Sequence, residues 1–91
     1  MQFEWDEDKN QENIKKHGLS FQDAAAVFLD PMRIEMLDES HSTLEEERFI
    51  TVGMAGSVFT VVYTERKSNT RIITARKATK EEERRYLNGY S

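Results

Sequence analysis

Cysteine is absent from the chain, so disulfide staples and thiolate metal sites are excluded, a pattern that suits a reducing cytosol. Histidine occurs twice, as His17 and His41. With so few nitrogen ligands, the Glu45-Glu-Glu47 and Glu81-Glu-Glu83 runs read as solvated faces, and neither a metal nor a cofactor is expected. Proline occurs once, at Pro31, and glycine four times, none in a phosphate-cradling loop. There is no nucleophile motif, internal repeat or low-complexity linker. The apolar runs fall far short of the ~18–20 residues that span a bilayer, so no membrane segment is expected. The start, Met1-Gln-Phe-Glu-Trp-Asp6, is acidic and lacks an apolar core, which argues against a signal peptide and for a cytoplasmic location.

What remains is one domain of 91 residues, a size that buries roughly 60–70% of its unfolded surface. Its charge is unevenly placed. Residues 1–62 hold five Lys/Arg against thirteen Asp/Glu, a balance of −8, and residues 63–91 hold eight against four, a balance of +4. The net −4 argues against nucleic-acid binding over the whole surface. The basic end points to an anionic partner.

Along the chain, Phe3-Glu4-Trp5 alternates as a short strand. Asp6 caps a helix that runs to about His17 and stops at Gly18, with acids in its first turn and Lys15, Lys16 and His17 in its last. Ile14 is its expected apolar anchor. Ser20-Phe-Gln-Asp23 opens a second helix, with Phe21, Ala24, Ala25 and Phe28 on one stripe, ended by Asp30-Pro31. Strands are predicted over 33–38, 48–54, 57–65 and 71–77, with turns at Ala55-Gly56 and Ser68-Asn69. Thr79-Lys-Glu-Glu82 is a capping box for a last helix that carries Tyr86, Leu87 and Tyr90 inward. The order β-α-α-β-β-β-β-α predicts a small α+β domain: an antiparallel sheet of about four strands, with N-terminal helices and a C-terminal helix.

Two-residue turns would set Val52 opposite Phe59, Ile50 opposite Val61 and Arg48 opposite Tyr63. They would also set Arg66 opposite Arg71 and Thr60 opposite Lys77. Alternation then gathers Ile50, Val52, Met54, Phe59, Val61, Tyr63 and Ile72 on a single core face. The other face, with Thr51, Gly53, Thr60, Val62, Thr64, Arg66, Arg71, Ile73 and Lys77, is left half-open and basic. A one-residue change in the second turn would instead bring Arg76 to the face of Arg66. Both registers stay open.

Several stretches together resemble one family. They are Phe3-Glu-Trp-Asp6 with Lys9 and Asn13, Lys15-Lys-His-Gly-Leu-Ser-Phe21, Val27-Phe-Leu-Asp-Pro31 and Glu47-Arg48. They continue with Val62-Tyr-Thr-Glu-Arg66, Arg71-Ile-Ile-Thr-Ala-Arg-Lys-Ala-Thr79 and the Glu/Arg-rich stretch from Glu81 to Tyr86. In this order the chain resembles the BrnT family, the toxin half of bacterial type II toxin–antitoxin pairs. The resemblance implies a RelE-like fold and ribonuclease activity. It also implies a BrnA-like antitoxin with a ribbon-helix-helix part, and DNA contact only through the complex, which represses its own operon.

Metal-independent RNA cleavage needs a base for the 2′-hydroxyl, cations for the phosphorane and an acid for the leaving 5′-oxygen. Arg66 and Arg76 are the expected catalytic cations, because a guanidinium fork pairs two phosphate oxygens at once. Arg71, Lys77 and Lys16 are expected to support them on phosphate. His17 is the natural proton carrier and Glu65 a second acid–base candidate. Tyr63 and Trp5 read better as packing. The bland reading is solvated strand-end charges paired with Glu65 or the 81–83 run, and a histidine that only closes its helix. The functional alternatives are an inert antitoxin-docking module and a direct DNA binder, the latter disfavoured because no basic recognition helix is present.

Overall fold

The computed structural model describes residues 1–89. Its elements are β1 (Gln2–Glu4), α1 (Glu7–His17), α2 (Phe21–Ala24), β2 (Ile34–Leu37), β3 (Arg48–Met54), β4 (Val58–Arg66), β5 (Asn69–Lys77) and α3 (Lys80–Asn88). Short 3-10 turns follow α2 (Ala25–Leu29) and β2 (Glu39–His41). The expected α+β class and element order hold. The sheet has five strands rather than four, in the order β1-β5-β4-β3-β2, because β1 joins β5 in parallel.

The helix ends follow their capping chemistry. The Asp6 carboxylate accepts from the Asp8 amide at 2.9 Å, and Gly18 closes α1 at φ 68°, where a Cβ would be strained. Ser20 caps α2 through the Asp23 amide at 3.0 Å. The second helix tightens to 3-10 after Ala24. That shift turns Val27 fully inward and leaves Phe28 half-buried, so the expected stripe is displaced at its end. Thr79 and Glu82 complete the expected capping box. Tyr86 is half-buried, but Leu87 is 68% exposed and does not point inward. Tyr90 lies outside the described residues.

The hairpins correct the expected register. The β3–β4 turn takes three residues, Ala55 to Ser57, so Val52 meets Thr60, Ile50 meets Val62 and Arg48 meets Thr64. A one-residue slip moves side chains to the opposite face. The single core face therefore divides in two. Val61, Ile72 and Ala75, with Phe59 at their border, pack under Phe21, Ala24 and Val27. Val52 and Val58, with Ile50 beside them, pack with Ile34 and with Tyr86 of α3 on the other face. The face expected to lie half-open thus carries its own small core. The β4–β5 turn centres on Lys67-Ser68, both at positive φ (48° and 75°), as a tight two-residue hairpin requires. Arg66 meets Asn69 rather than Arg71, and a bulge beside Val62/Tyr63 shifts the ladder so that Arg76 meets Thr60.

Candidate functional site

The free edge of β5 positions one end of the molecule. β1 covers it only from Asn69 to Arg71. Beyond that, α1 takes over, fastened to β5 by the buried Asn13 and to α2 by the buried Asn10. Asn13 donates from Nδ2 to the carbonyls of Ala75 and Leu19, each at 2.8 Å, and its Oδ1 accepts from the Ala75 amide at 3.2 Å. Asn10 accepts from the Phe21 amide at 2.8 Å. Ile14, the expected anchor, is 38% exposed, so polar groups rather than an apolar stripe fasten this helix.

Docked this way, α1 and β5 enclose a groove of about 220 Å³, lined by Lys9, Glu12, Asn13, Lys16, His17, Ile73 and Thr74. Three of these can be cationic and one is a carboxylate. Of the expected site residues, Lys16 and His17 meet here, both exposed at the helix end. Lys9 and Glu12 were not foreseen. Their spacing with Lys16 (i, i+3, i+7) is the signal that places all three on one helical face.

The arginines do not share a cleft. Arg76 reaches the face of Arg66, one of the two registers left open, but pairs with Thr60, six residues along β4 from Arg66. At ~3.3 Å per residue that separates them by roughly 20 Å. Arg76 is also held by both Glu82 oxygens, Nη1 to Oε1 at 2.7 Å and Nη2 to Oε2 at 3.0 Å. Glu82 further accepts from Thr60 and the Thr79 amide. Chiefly because of Arg76, its carboxyl is held down at about 2. Arg71 donates to Glu4 at 2.8 Å, a partner brought by the parallel strand β1. Arg66 is exposed at the end of β4. Lys77 lines a separate hollow with Met54, Val58 and Glu83. Glu65 accepts from Thr70 and lines an acidic hollow with Glu45 to Glu47.

A second polar cluster was missed from sequence. The buried Tyr63 donates to Glu35 at 2.5 Å, and Arg33 donates to the same Glu35 oxygen and to Thr51 at 3.1 Å. The Arg33 guanidinium lies 5.0 Å from the Phe28 ring centre. Burial would raise the Glu35 carboxyl, but the hydrogen bonds from Tyr63 and Arg33 outweigh it and hold the carboxyl below its ordinary value. Burial and Glu35 together push the Tyr63 phenol well above its own. Trp5 packs edge-on against Phe21, as the packing reading expects, and Arg48 pairs with Glu46.

The family described as "Ribonuclease toxin, BrnT, of type II toxin-antitoxin system" matches residues 5–82. The crystal structure of the Brucella abortus ribonuclease toxin BrnT is similar, with a TM-score of 0.65 and 27% identity. That match covers 88% of this chain and 99% of the Brucella chain. A search of curated protein sequences finds no match.

Proposed function

This chain belongs to the BrnT family of ribonuclease toxins from type II toxin–antitoxin systems, and from that premise we propose that it is a metal-independent endoribonuclease with its reacting centre in the α1–β5 groove. The observation that carries the reading is the meeting of His17, Lys16, Lys9 and Glu12 against Ile73 and Thr74. Lys9 and Lys16 neutralise the scissile phosphate and the charge that develops on the phosphorane. His17 moves protons between the 2′-hydroxyl and the leaving 5′-oxygen, with Glu12 as the neighbouring carboxylate. The 2′-oxygen bonds to phosphorus as the phosphorus–5′-oxygen bond breaks, leaving a 2′,3′-cyclic phosphate and a 5′-hydroxyl. Arg71 and Arg76 each stand two residues along β5 from the groove, from Ile73 and Thr74 respectively, and Arg76 shares its strand face with Thr74. To bind phosphate it must exchange Glu82 for the backbone anion. Arg66, Arg71, Lys77 and Glu65 take no part in the chemical step in this reading. The protein acts in the cytoplasm and is neutralised by a BrnA-like antitoxin, through which alone the complex touches operator DNA.

The test is cleavage of an RNA by partner-free protein in excess chelator, beside the same oligomer with a 2′-deoxy linkage. His17→Ala and Lys16→Ala should each lose on the order of 10²-fold in rate, and the 2′-deoxy linkage should stay intact. Both side chains are exposed, so folding should be unaffected. Cleavage by either variant at the wild-type rate would overturn the assignment.

A second reading is favoured by the Arg71–Glu4 and Arg76–Glu82 ion pairs. With those arginines already occupied, the chain would be an inert module that docks the antitoxin for operon control. It would bind its partner tightly and leave RNA and cell growth untouched.

A further inference from the structure

The edge of the sheet farthest from the groove has the opposite character. β2 closes the strand order and, among the described residues, pairs only with β3. The Asp38 amide donates to the Arg48 carbonyl at 2.8 Å, continuing the β2–β3 register by one residue. The alternation of antiparallel bonding then turns the backbone groups of Glu35 and Leu37 outward. An edge of this kind is a template for another strand.

Its side chains select the occupant. Residues 34–47 carry six Asp/Glu and no Lys or Arg. Glu39, Glu45 and Glu47 are exposed, and among the described residues none of them forms an ion pair with Lys or Arg. Apolar groups lie among them. Leu37, 43% exposed, stands opposite Phe49, and Leu44, fully exposed, joins Phe49, Thr64, Glu65 and Glu45 to Glu47 around a hollow of about 380 Å³.

We propose that the outer edge of β2 receives an extended basic segment of the antitoxin partner, which adds to the sheet as a sixth strand, sets an apolar side chain beside Phe49 and pairs its cations with Glu39, Glu45 and Glu47. The inference rests on the toxin–antitoxin reading. Charge decides against the other occupants. RNA is repelled here, and a second copy of this chain would set the same acidic edge against itself. Three inter-strand spacings of ~4.8 Å, roughly 14 Å, separate β2 from β5, so this segment does not touch His17.

The test uses this chain and its cognate antitoxin. Leu37→Pro removes one outward amide at an edge position where proline is tolerated. It should weaken the complex by on the order of ten-fold or more, since a buried partner carbonyl is left unpaired. The double variant Glu45→Lys, Glu47→Lys leaves the backbone intact and should weaken binding and flatten its salt dependence. In hydrogen exchange, the amides of Glu35 and Leu37 should gain protection in the complex. A complex that tolerates both variants, with protection confined to α1 and β5, overturns this inference alone. Failure of the wild-type chain to bind any antitoxin overturns it together with the reading beneath it.

Discussion

Asn13 treats Ala75 as a neighbouring strand would: one half of its side-chain amide donates to the Ala75 carbonyl and the other accepts from the Ala75 amide. A single side chain thus ends the hydrogen-bonding of β5 and fixes α1 over it, with Lys16 and His17 one turn further on. Asn13→Leu leaves the Ala75 amide and carbonyl and the Leu19 carbonyl without their partner. The expected cost is about 2–4 kcal/mol, read from urea unfolding. Asn13→Asp should also destabilise, because a carboxylate accepts from the Ala75 amide but repels both carbonyls. If the groove is the reacting centre, either variant should lower RNA cleavage more than the fraction unfolded explains.

Acid should find its weak point at Glu82. Its folded value is about 2, chiefly because of Arg76, against an ordinary 4.5. A depressed carboxyl contributes stability that is complete above 4.5 and is lost as pH falls toward 2. Because Arg76 is 38% exposed and solvent screens the pair, the stabilisation is less than the full shift implies, about 1–2 kcal/mol. Urea midpoints should be flat near neutral pH and fall steeply below about 4.5. Glu82→Gln should lower the neutral midpoint and remove much of the slope. An unchanged slope would show that Arg76 and Thr60 do not hold Glu82 ionised.

What was legible in the sequence was local chemistry. Asp6, Gly18, Thr79 and Glu82 mark helix ends through their own backbone neighbours, so the element order follows from them. Lys16 and His17 could be placed because they close a readable helix. The failures that scattered the expected site are non-local. Whether Ala55-Gly56 takes Ser57 into the turn decides which face Val52 shares with Val61, and either turn length suits the sequence. The bulge at Val62/Tyr63 has no residue signature. Asn10 and Asn13 look like surface polar residues until their partners, up to 62 positions away, are known. The pairing of Arg71 with Glu4 depends on a parallel strand added from the chain start. A cluster of cations read as one patch was thereby distributed over a face and partly neutralised.

Tyr63 joins the α2 side of the core to β2 through Glu35. Tyr63→Phe keeps the ring contacts with Phe28 and Phe49 and deletes only the hydroxyl. A hydrogen bond to a charged acceptor contributes ~1.5–3 kcal/mol, and Glu35 keeps Arg33 and partial solvent access. The expected loss is therefore at the lower end, about 1–2 kcal/mol, in thermal or urea unfolding. The Glu35 carboxyl, followed by carbon-13 NMR, should titrate at a higher pH in the variant. An unchanged titration would mean that Arg33 alone holds it down.

Gly53 is required by space rather than by backbone angle. A Cβ there would lie 2.8 Å from Val27 Cγ1, 3.0 Å from Arg33 Cβ and 3.3 Å from the Val27 carbonyl. Val27 is fully buried in the α2-side core, so it cannot swing aside without moving the 3-10 segment that carries it. Two effects oppose each other in Gly53→Ala. Restricting the unfolded chain stabilises by ~0.4–1 kcal/mol, while overpacking costs ~1–3 kcal/mol. The clash should win, giving a net loss of about 1–2 kcal/mol. Val27→Ala removes the closest atom but leaves a cavity of its own. The pair should therefore be less destabilising together than the sum of the two singles. A double-mutant cycle measures that difference, and strict additivity would mean that the 3-10 segment yields freely where the packing says it cannot.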